Sequence, residues 1–118
     1  MIFRKEHIEM IRAGTKTQTR RRHMYPRKAG RVYNVNRDWY HSTGDKILIT
    51  KVRRQHLGDI SPADAMAEGG YTIEQFKEVW LRINGVWNPD EEVTVYDFKV
   101  VETPKLNGFT GDRKQATS

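Results

Sequence analysis

The sequence predicts a small domain of mainly β structure with flanking helices, of mixed α+β content. Several short segments alternate apolar and polar residues as half-buried strands do, and other segments carry helical periodicity or helix-capping signatures. The connections between these segments are too irregular in length for the strand–helix alternation of a doubly wound sheet. A small curled sheet or barrel, closed by about three helices, fits this pattern best.

The first two predicted elements are a helix and a short strand. Apolar residues recur on one helical face from Phe3 to Ile11, and Gly14 supplies a C-terminal stop. We therefore expect a helix at about residues 4–13. The segment Thr17 to Arg22 alternates and contains β-branched residues, which indicates a strand.

Two further strands are predicted in the middle of the chain. The segment from Gly30 to Asn36 alternates as a strand does, and the segment from Ser42 to Asp45 has the composition of a turn. From Lys46 to Leu57 we expect a long strand, because this segment begins with a continuous apolar run. A bend or bulge is expected near Arg53.

Two helices with distinct start signals are predicted next. Ser61 offers an N-cap hydroxyl before Pro62, and this short helix is expected to end at Gly69. Thr72 and Gln75 resemble a capping box that opens a longer helix. The apolar residues of the longer helix recur at helical spacing: Phe76, Val79, Trp80 and Ile83. We expect Trp80 to belong to the core.

The longer helix is expected to stop at Asn84-Gly85, and a last strand follows. The segment Val93 to Val101 alternates and predicts a central strand. Residues 1–102 are therefore expected to form one domain, and residues 103–118, which lack periodicity, a flexible tail.

The composition excludes several kinds of functional site and several classes of protein. The chain of 118 residues has no cysteine, which excludes disulfides, thiolate metal sites and a cysteine nucleophile. Its four histidines show no paired ligand spacing, so we expect neither a metal nor another cofactor. No apolar run is long enough to span a membrane, and the first residues do not resemble a signal peptide. We predict a cytoplasmic protein that does not associate with a membrane. The sequence does not indicate any protein partner.

The charge is unevenly distributed along the chain. Residues 1–60 carry 15 basic and 5 acidic side chains, net +10, whereas residues 61–118 carry 6 and 10, net −4. A basic surface raises the local concentration of anions. Arginines interleaved with aromatic residues are typical of proteins that bind single-stranded nucleic acid, since cations hold phosphates and aromatic rings stack on bases. The candidate ligand-binding residues are Arg20, Arg21, Arg22, Trp39, Tyr40 and Arg53.

One segment carries a more specific pattern. Gly14, Lys16, Thr19 and Arg21 form a G-x-K-x-x-T-x-R motif, and Glu68 precedes a glycine and a capped helix. With the Gly-Asp pair before the long strand and the closing Val-x-Val-x-x-Phe strand, the chain resembles the ASCH (activating-signal-cointegrator homology) family over about residues 1–101.

The resemblance implies a fold and a site. ASCH proteins belong to the PUA-like superfamily, built on a small β-barrel, and were proposed to bind RNA. An enzymatic branch that this chain also resembles, the acetylcytidine amidohydrolases, removes an acyl group from a modified nucleoside with a Lys, a Thr and a Glu. By motif, those catalytic roles fall on Lys16, Thr19 and Glu68.

The chemistry of these residues is consistent with that assignment. A threonine hydroxyl needs an adjacent base to become a nucleophile, and a lysine becomes a base only if burial or nearby cations lower its pKa. Residues 16 and 19 would point to opposite faces of a regular strand, so the segment must turn for both to share a site. The alternatives stay open: Lys16 as a surface lysine, Thr19 as a strand residue, Glu68 as a solvated acid.

The sequence therefore supports three hypotheses. The first is a protein that binds RNA or a small nucleoside-like ligand in a basic cleft. The second is a metal-independent amidohydrolase acting on an acylated nucleoside such as acetylcytidine. The third is a metal-independent ribonuclease, in which Lys16, Arg21 and His23 stabilise phosphate charge.

Overall fold

The computed structural model describes residues 1–22 and 27–104. The helices are α1 (Lys5–Ala13), α2 (Pro62–Gly69) and α3 (Ile73–Asn84). The strands are β1 (Gln18–Arg21), β2 (Val32–Asn36), β3 (Ser42–His56) and β4 (Glu92–Glu102). A 3₁₀ turn spans Leu57–Asp59. The predicted α+β class with three helices is confirmed.

The four strands form one antiparallel sheet in the order β1-β4-β3-β2. The last strand is central, as predicted. The N-terminal segment connects the two edges: the Phe3 amide donates to the Asn36 carbonyl of β2 at 3.0 Å, and the Arg21 guanidinium of β1 donates to the Ile2 carbonyl at 2.8 Å. Because both edges reach the same segment, the sheet curls around its inner face.

The helix boundaries follow the capping signals. Ser61 and Asp64 form a capping box at the start of α2, and Thr72 and Gln75 form another at the start of α3. Each box satisfies amides that have no partner inside the helix. The predicted starts of both helices are confirmed.

The predicted turn at Ser42–Asp45 is wrong, because these residues begin β3. The chain reverses earlier, where the Asp38 carboxylate accepts hydrogen bonds from the amides of Tyr40 and His41 at 2.8 and 2.9 Å. Gly44 is compatible with the strand only because glycine tolerates its φ of +85°. The irregularities of the β3–β4 pairing lie at Lys46/Ile47 and Ile49/Lys51 rather than near Arg53.

Two apolar clusters form the core. The first packs α1 against the sheet, and the second packs α2 and α3 against the other end of β4. Trp80 is 5% exposed and belongs to the second cluster, as predicted. Members of both clusters line the cavity described below, so the cavity lies where the two clusters meet.

The predicted tail at 103–118 lies outside the described residues from position 105 onward, and stays a prediction. Within the described ranges, no helix is long and apolar enough to cross a membrane.

A buried carboxylate fixes α1 to the start of β3. Asp45 is fully buried, and the Arg12 guanidinium donates to both of its oxygens, with Nε at 3.1 and 3.0 Å. The Thr43 hydroxyl contributes a further bond at 2.6 Å. The hydrogen bond to Asp45 raises the pKa of Arg12. A buried carboxylate is tolerated only when paired in this way.

We expect Arg12→Ala to destabilise the protein by about 2–3 kcal/mol, because it leaves the buried Asp45 carboxylate without its cation. Urea unfolding at pH 7 measures this loss. The matched control is Arg82→Ala, since Arg82 is exposed and lies 3.8 Å from the exposed Glu6. If Arg12→Ala and Arg82→Ala unfold at the same urea concentration, this account of Asp45 is wrong.

Candidate functional site

A cavity of about 630 Å³ opens between the N-terminal segment, β1 and the helices α2 and α3. One part of its wall is cationic, with Lys16, Arg20, Arg21 and Arg27. Another part is aromatic, with Tyr71, Phe76, Trp80 and Tyr96. Glu68 and Thr19 also line it. The cavity therefore combines charged groups with flat apolar surfaces.

Lys16 lies in the turn between α1 and β1. The amides of Thr15 and Lys16 both donate to the Met10 carbonyl, at 2.9 and 3.1 Å, so the chain turns sharply after Gly14. Since β1 begins only at Gln18, the alternation of a strand does not apply to Lys16. Lys16 and Thr19 are 2% and 5% exposed, and both line the cavity. The turn that the motif requires is present.

The Lys16 ammonium has three acceptors. Its Nζ donates to the Gln18 and Glu68 carbonyls, each at 2.9 Å, and to Glu68 Oε1 at 3.1 Å. Three acceptors match the three hydrogens of an ammonium group. Burial lowers the pKa of Lys16, an effect that the neighbouring Glu68 carboxylate opposes and that the charges of Arg21 and Arg20 reinforce.

Glu68 lies in the last turn of α2, where the helix dipole disfavours a negative charge. Two cations compensate: Lys16 at Oε1, and Arg20 Nη1 at 2.9 Å from Oε2. Its side chain is almost completely buried. The fold thus brings Glu68 of α2 to the same cavity wall as Lys16 and Thr19, which come from the segment between α1 and β1 and from β1 itself.

The structure distributes the predicted arginines between different environments. Arg20 lines the cavity, but its buried guanidinium is paired with Asp64 at 3.1 Å as well as with Glu68. Arg22 also lines the cavity and pairs with Glu91 at 2.7 Å. Arg53 lies away from the cavity wall. It pairs with Asp64 at 3.0 Å and with Asp97 at 3.4 Å.

The two predicted stacking residues also differ. Trp39 is 78% exposed and lines the cavity, so its ring lies at the rim. Tyr40 is 90% exposed and does not line the cavity. His23 of the ribonuclease hypothesis lies outside the described residues.

Sequence reasoning missed the pair formed by His7 and Tyr71. The His7 ring nitrogen Nε2 lies 3.1 Å from the Tyr71 hydroxyl, and both residues line the cavity. Burial lowers the pKa of His7 to about 4, and the positive charge of Lys16 adds to this effect. The sequence places His7 on the apolar face of a helix, but it contains no signal for a partner 64 residues away.

No group of three or more histidine, aspartate or glutamate side chains has a metal-binding arrangement in the parts of the chain that the structure describes.

The pKa of His7 predicts a loss of stability in acid. Between pH 6.5 and about pH 4 the unfolded chain binds a proton at this ring that the folded chain does not, so acidification favours unfolding. We expect a loss of about 2 kcal/mol from this group, less than complete burial would give, because the ring borders the cavity.

The measurement is urea unfolding at pH 6.5 and pH 4 for the unmodified protein and for His7→Gln. The variant is expected to lose less stability than the unmodified protein over this interval. His56→Gln, at an exposed histidine, is the control and should behave as the unmodified protein does. An identical pH dependence in His7→Gln would contradict the assignment.

No protein-family model matches the sequence, and no curated protein matches it significantly. Solved structures do share its fold. The chain is similar to an ASCH domain from Lactobacillus crispatus at 19% identity, with a TM-score of 0.66 over 80% of this chain and 70% of that chain. It is similar to a protein from Enterococcus faecalis assigned to family DUF984 at 24% identity, with a TM-score of 0.58 over 83% and 71%.

A third structure is a tyrosine-to-phenylalanine variant of an ASCH protein from Zymomonas mobilis. It is 13% identical to this chain, with a TM-score of 0.61 over 84% of this chain and 66% of that chain. Two of the three similar structures are thus described as ASCH proteins. The fold that the motif indicated is confirmed: this chain has the fold of an ASCH domain.

Proposed function

We propose that this chain is an ASCH-domain protein whose cavity binds a nucleoside-like ligand and hydrolyses an acyl amide on it. One observation carries the proposal: Lys16 is buried, has a lowered pKa, and is paired with Glu68 on the same cavity wall as Thr19. The sequence motif at these positions and the fold shared with ASCH structures support it.

The cavity is compatible with a ligand of this size and chemistry. Sites for small molecules commonly have volumes of about 300–1,000 Å³ and combine apolar walls with a few polar groups. Here Tyr71, Phe76 and Trp80 offer flat surfaces for a base, while Glu68 offers an acceptor. Glu68 is suited to accept a hydrogen bond from an exocyclic amine of the base.

The reaction begins with a proton transfer and a nucleophilic attack. In the reacting state the Lys16 amine is neutral and takes the proton of the Thr19 hydroxyl, whose oxygen attacks the acyl carbon. The carbon–nitrogen bond then breaks, and Lys16 returns the proton to the leaving amine. Water hydrolyses the resulting ester on Thr19 and releases the acid. The balance is one amide and one water converted to one amine and one carboxylic acid.

The burial of Lys16 makes its neutral amine more accessible than that of a free lysine, although the Glu68 carboxylate opposes this shift of the pKa. Desolvation and the nearby charges of Arg20 and Arg21 lower the pKa of Lys16, so it deprotonates more readily than a free lysine. Glu68 and the two carbonyls hold its nitrogen in place. Arg20 holds the other oxygen of Glu68, which keeps this carboxylate oriented. Glu68 and Arg20 therefore act as positioning residues in the proposed reaction.

We expect Lys16→Met and Thr19→Val each to lower kcat on N-acetylcytidine by at least about 100-fold, because each removes a group that takes part in the bond changes. Chromatography of released cytidine and acetate measures the rate. In the unmodified protein kcat should rise with pH as Lys16 loses its proton, with a midpoint below that of a free lysine.

Two variants at neighbouring exposed positions on β3, Lys51→Met and Thr50→Val, make the same chemical changes outside the cavity. Both should retain full turnover. Circular dichroism and thermal unfolding show whether each variant folds. Folded Lys16→Met and Thr19→Val proteins that turn over the substrate at the original rate would refute the proposed chemistry.

A second candidate function, the binding of single-stranded RNA, is favoured by the exposed ring of Trp39 at the cavity rim. Arg4 and Arg37 are also exposed and line the cavity, so exposed cations border the same cavity as this ring. An aromatic ring beside cations is suited to stack one base while the cations hold the adjacent phosphates. The net charge of +6 adds to the attraction.

If RNA binds at this rim, Trp39→Ala should weaken binding of a short single-stranded RNA about tenfold, since stacking on one ring is worth about 1–3 kcal/mol. Tyr40→Ala removes an equally exposed neighbouring ring away from the cavity and should have little effect. Fluorescence anisotropy at several salt concentrations should also give an affinity that falls steeply with salt. Equal effects of both substitutions would mean that RNA does not use the cavity rim.

A further inference from the structure

Four buried side-chain nitrogens have no hydrogen-bond partner among the described residues. They are the Nε atoms of Arg20, Arg21 and Arg27 and the Nε1 atom of Trp80. All four are N–H donors, and all four residues line the same cavity. Buried donors are nearly always satisfied in folded proteins. Three of these four residues are arginines, so three guanidinium groups line one cavity, an arrangement that favours an anionic ligand.

The cavity-lining arginines divide into two pairs. Arg20 and Arg22 have carboxylate partners. Arg20 pairs with Glu68 and Asp64, and Arg22 pairs with Glu91. Within the described ranges, Arg21 and Arg27 have none. Their guanidinium groups lie over aromatic rings instead, Arg21 at 4.7 Å from the Phe3 ring centroid and Arg27 at 5.4 Å from that of Tyr33.

On the cavity wall, no described carboxylate forms a direct ion pair with Arg21 or Arg27. Among the described residues that line it, Glu68 is the sole carboxylate, and both of its oxygens are already bonded to Lys16 and Arg20. Arg21 makes one hydrogen bond, to the Ile2 carbonyl. Burying a guanidinium without a counter-charge is costly, so an anion supplied by the ligand would stabilise this end of the cavity.

We propose that the ligand is a nucleoside monophosphate rather than a neutral nucleoside, with Arg21 and Arg27 holding its phosphate. This inference rests on the proposed nucleoside-like ligand and specifies its chemical class. Guanidinium groups bind phosphate oxygens through charge-assisted hydrogen bonds, often two in parallel from one planar group. Arg21 and Arg27 line the same cavity, so both guanidinium groups are available to one ligand.

The test is isothermal titration of the full chain with cytidine and adenosine and with their 5′- and 3′-monophosphates. At least one monophosphate of each base should bind about tenfold or more tightly than the nucleoside. Arg27→Met should remove most of this gain, measured as the ratio of monophosphate to nucleoside affinity. Arg27 is half-buried and its guanidinium lies over a single ring, so this substitution is compatible with folding.

Arg21→Lys keeps the charge but removes the Nε donor, and it too should reduce the gain. The control is Arg31→Met, which removes one charge at an exposed position outside the cavity wall. This variant should retain the full gain. Inorganic phosphate should compete with the monophosphate in the unmodified protein and lose that effect in Arg27→Met.

Equal affinity for nucleosides and monophosphates, or a gain that survives both Arg21→Lys and Arg27→Met, would overturn the proposal. So would binding of an oligonucleotide by a protein that binds no mononucleotide, because the phosphates would then be those of an RNA strand. These outcomes are independent of hydrolysis. A protein that prefers monophosphates yet leaves N-acetylcytidine and its monophosphate intact would retain this inference and lose the proposed reaction.

Discussion

The ion pair between Lys16 and Glu68 is the interaction on which the site depends. It joins the turn before β1 to the last turn of α2, and Arg20 of β1 binds the same carboxylate from its other side. Isolated charges this deeply buried would be unstable, and each is tolerated because the others are present. The position of α2 on the sheet and the geometry of the cavity wall are therefore set by the same contacts.

The charge network also determines what the cavity offers a ligand. Asp64, Asp97, Glu91 and Glu68 pair with three arginines of the basic half, Arg20, Arg22 and Arg53, so the +10 of residues 1–60 is not a uniform cationic surface. Within the cavity, the half-buried arginines that have no carboxylate partner among the described residues are Arg21 and Arg27. These two arginines suit a compact ligand with one anionic group, whereas the exposed Arg4 and Arg37 are available to a longer polyanion.

Apolar packing and the polar site are closely connected. The cavity lies between the two core clusters, and aromatic residues of both clusters form part of its wall. Phe76 and Trp80 contribute to the stability of the core through one side and face a ligand-sized space through the other. The packing of α3 in the second cluster keeps the cavity open, because α3 cannot move into the cavity without losing the contacts of that cluster.

Local signals in the sequence determined the helices, the central last strand and the motif at Lys16, Thr19 and Glu68, because capping, periodicity and turn chemistry act over a few residues. Only the tertiary structure decided which charges are buried and paired. The Ser42–Asp45 segment has the local composition of a turn, yet its pairing with β2 makes it the first part of β3. Contacts between distant segments bring His7 to Tyr71. Contacts of the same kind bury Arg20 and pair it with Glu68 and Asp64. Sequence patterns do not encode such contacts, since burial and pairing arise from the packing of the whole chain.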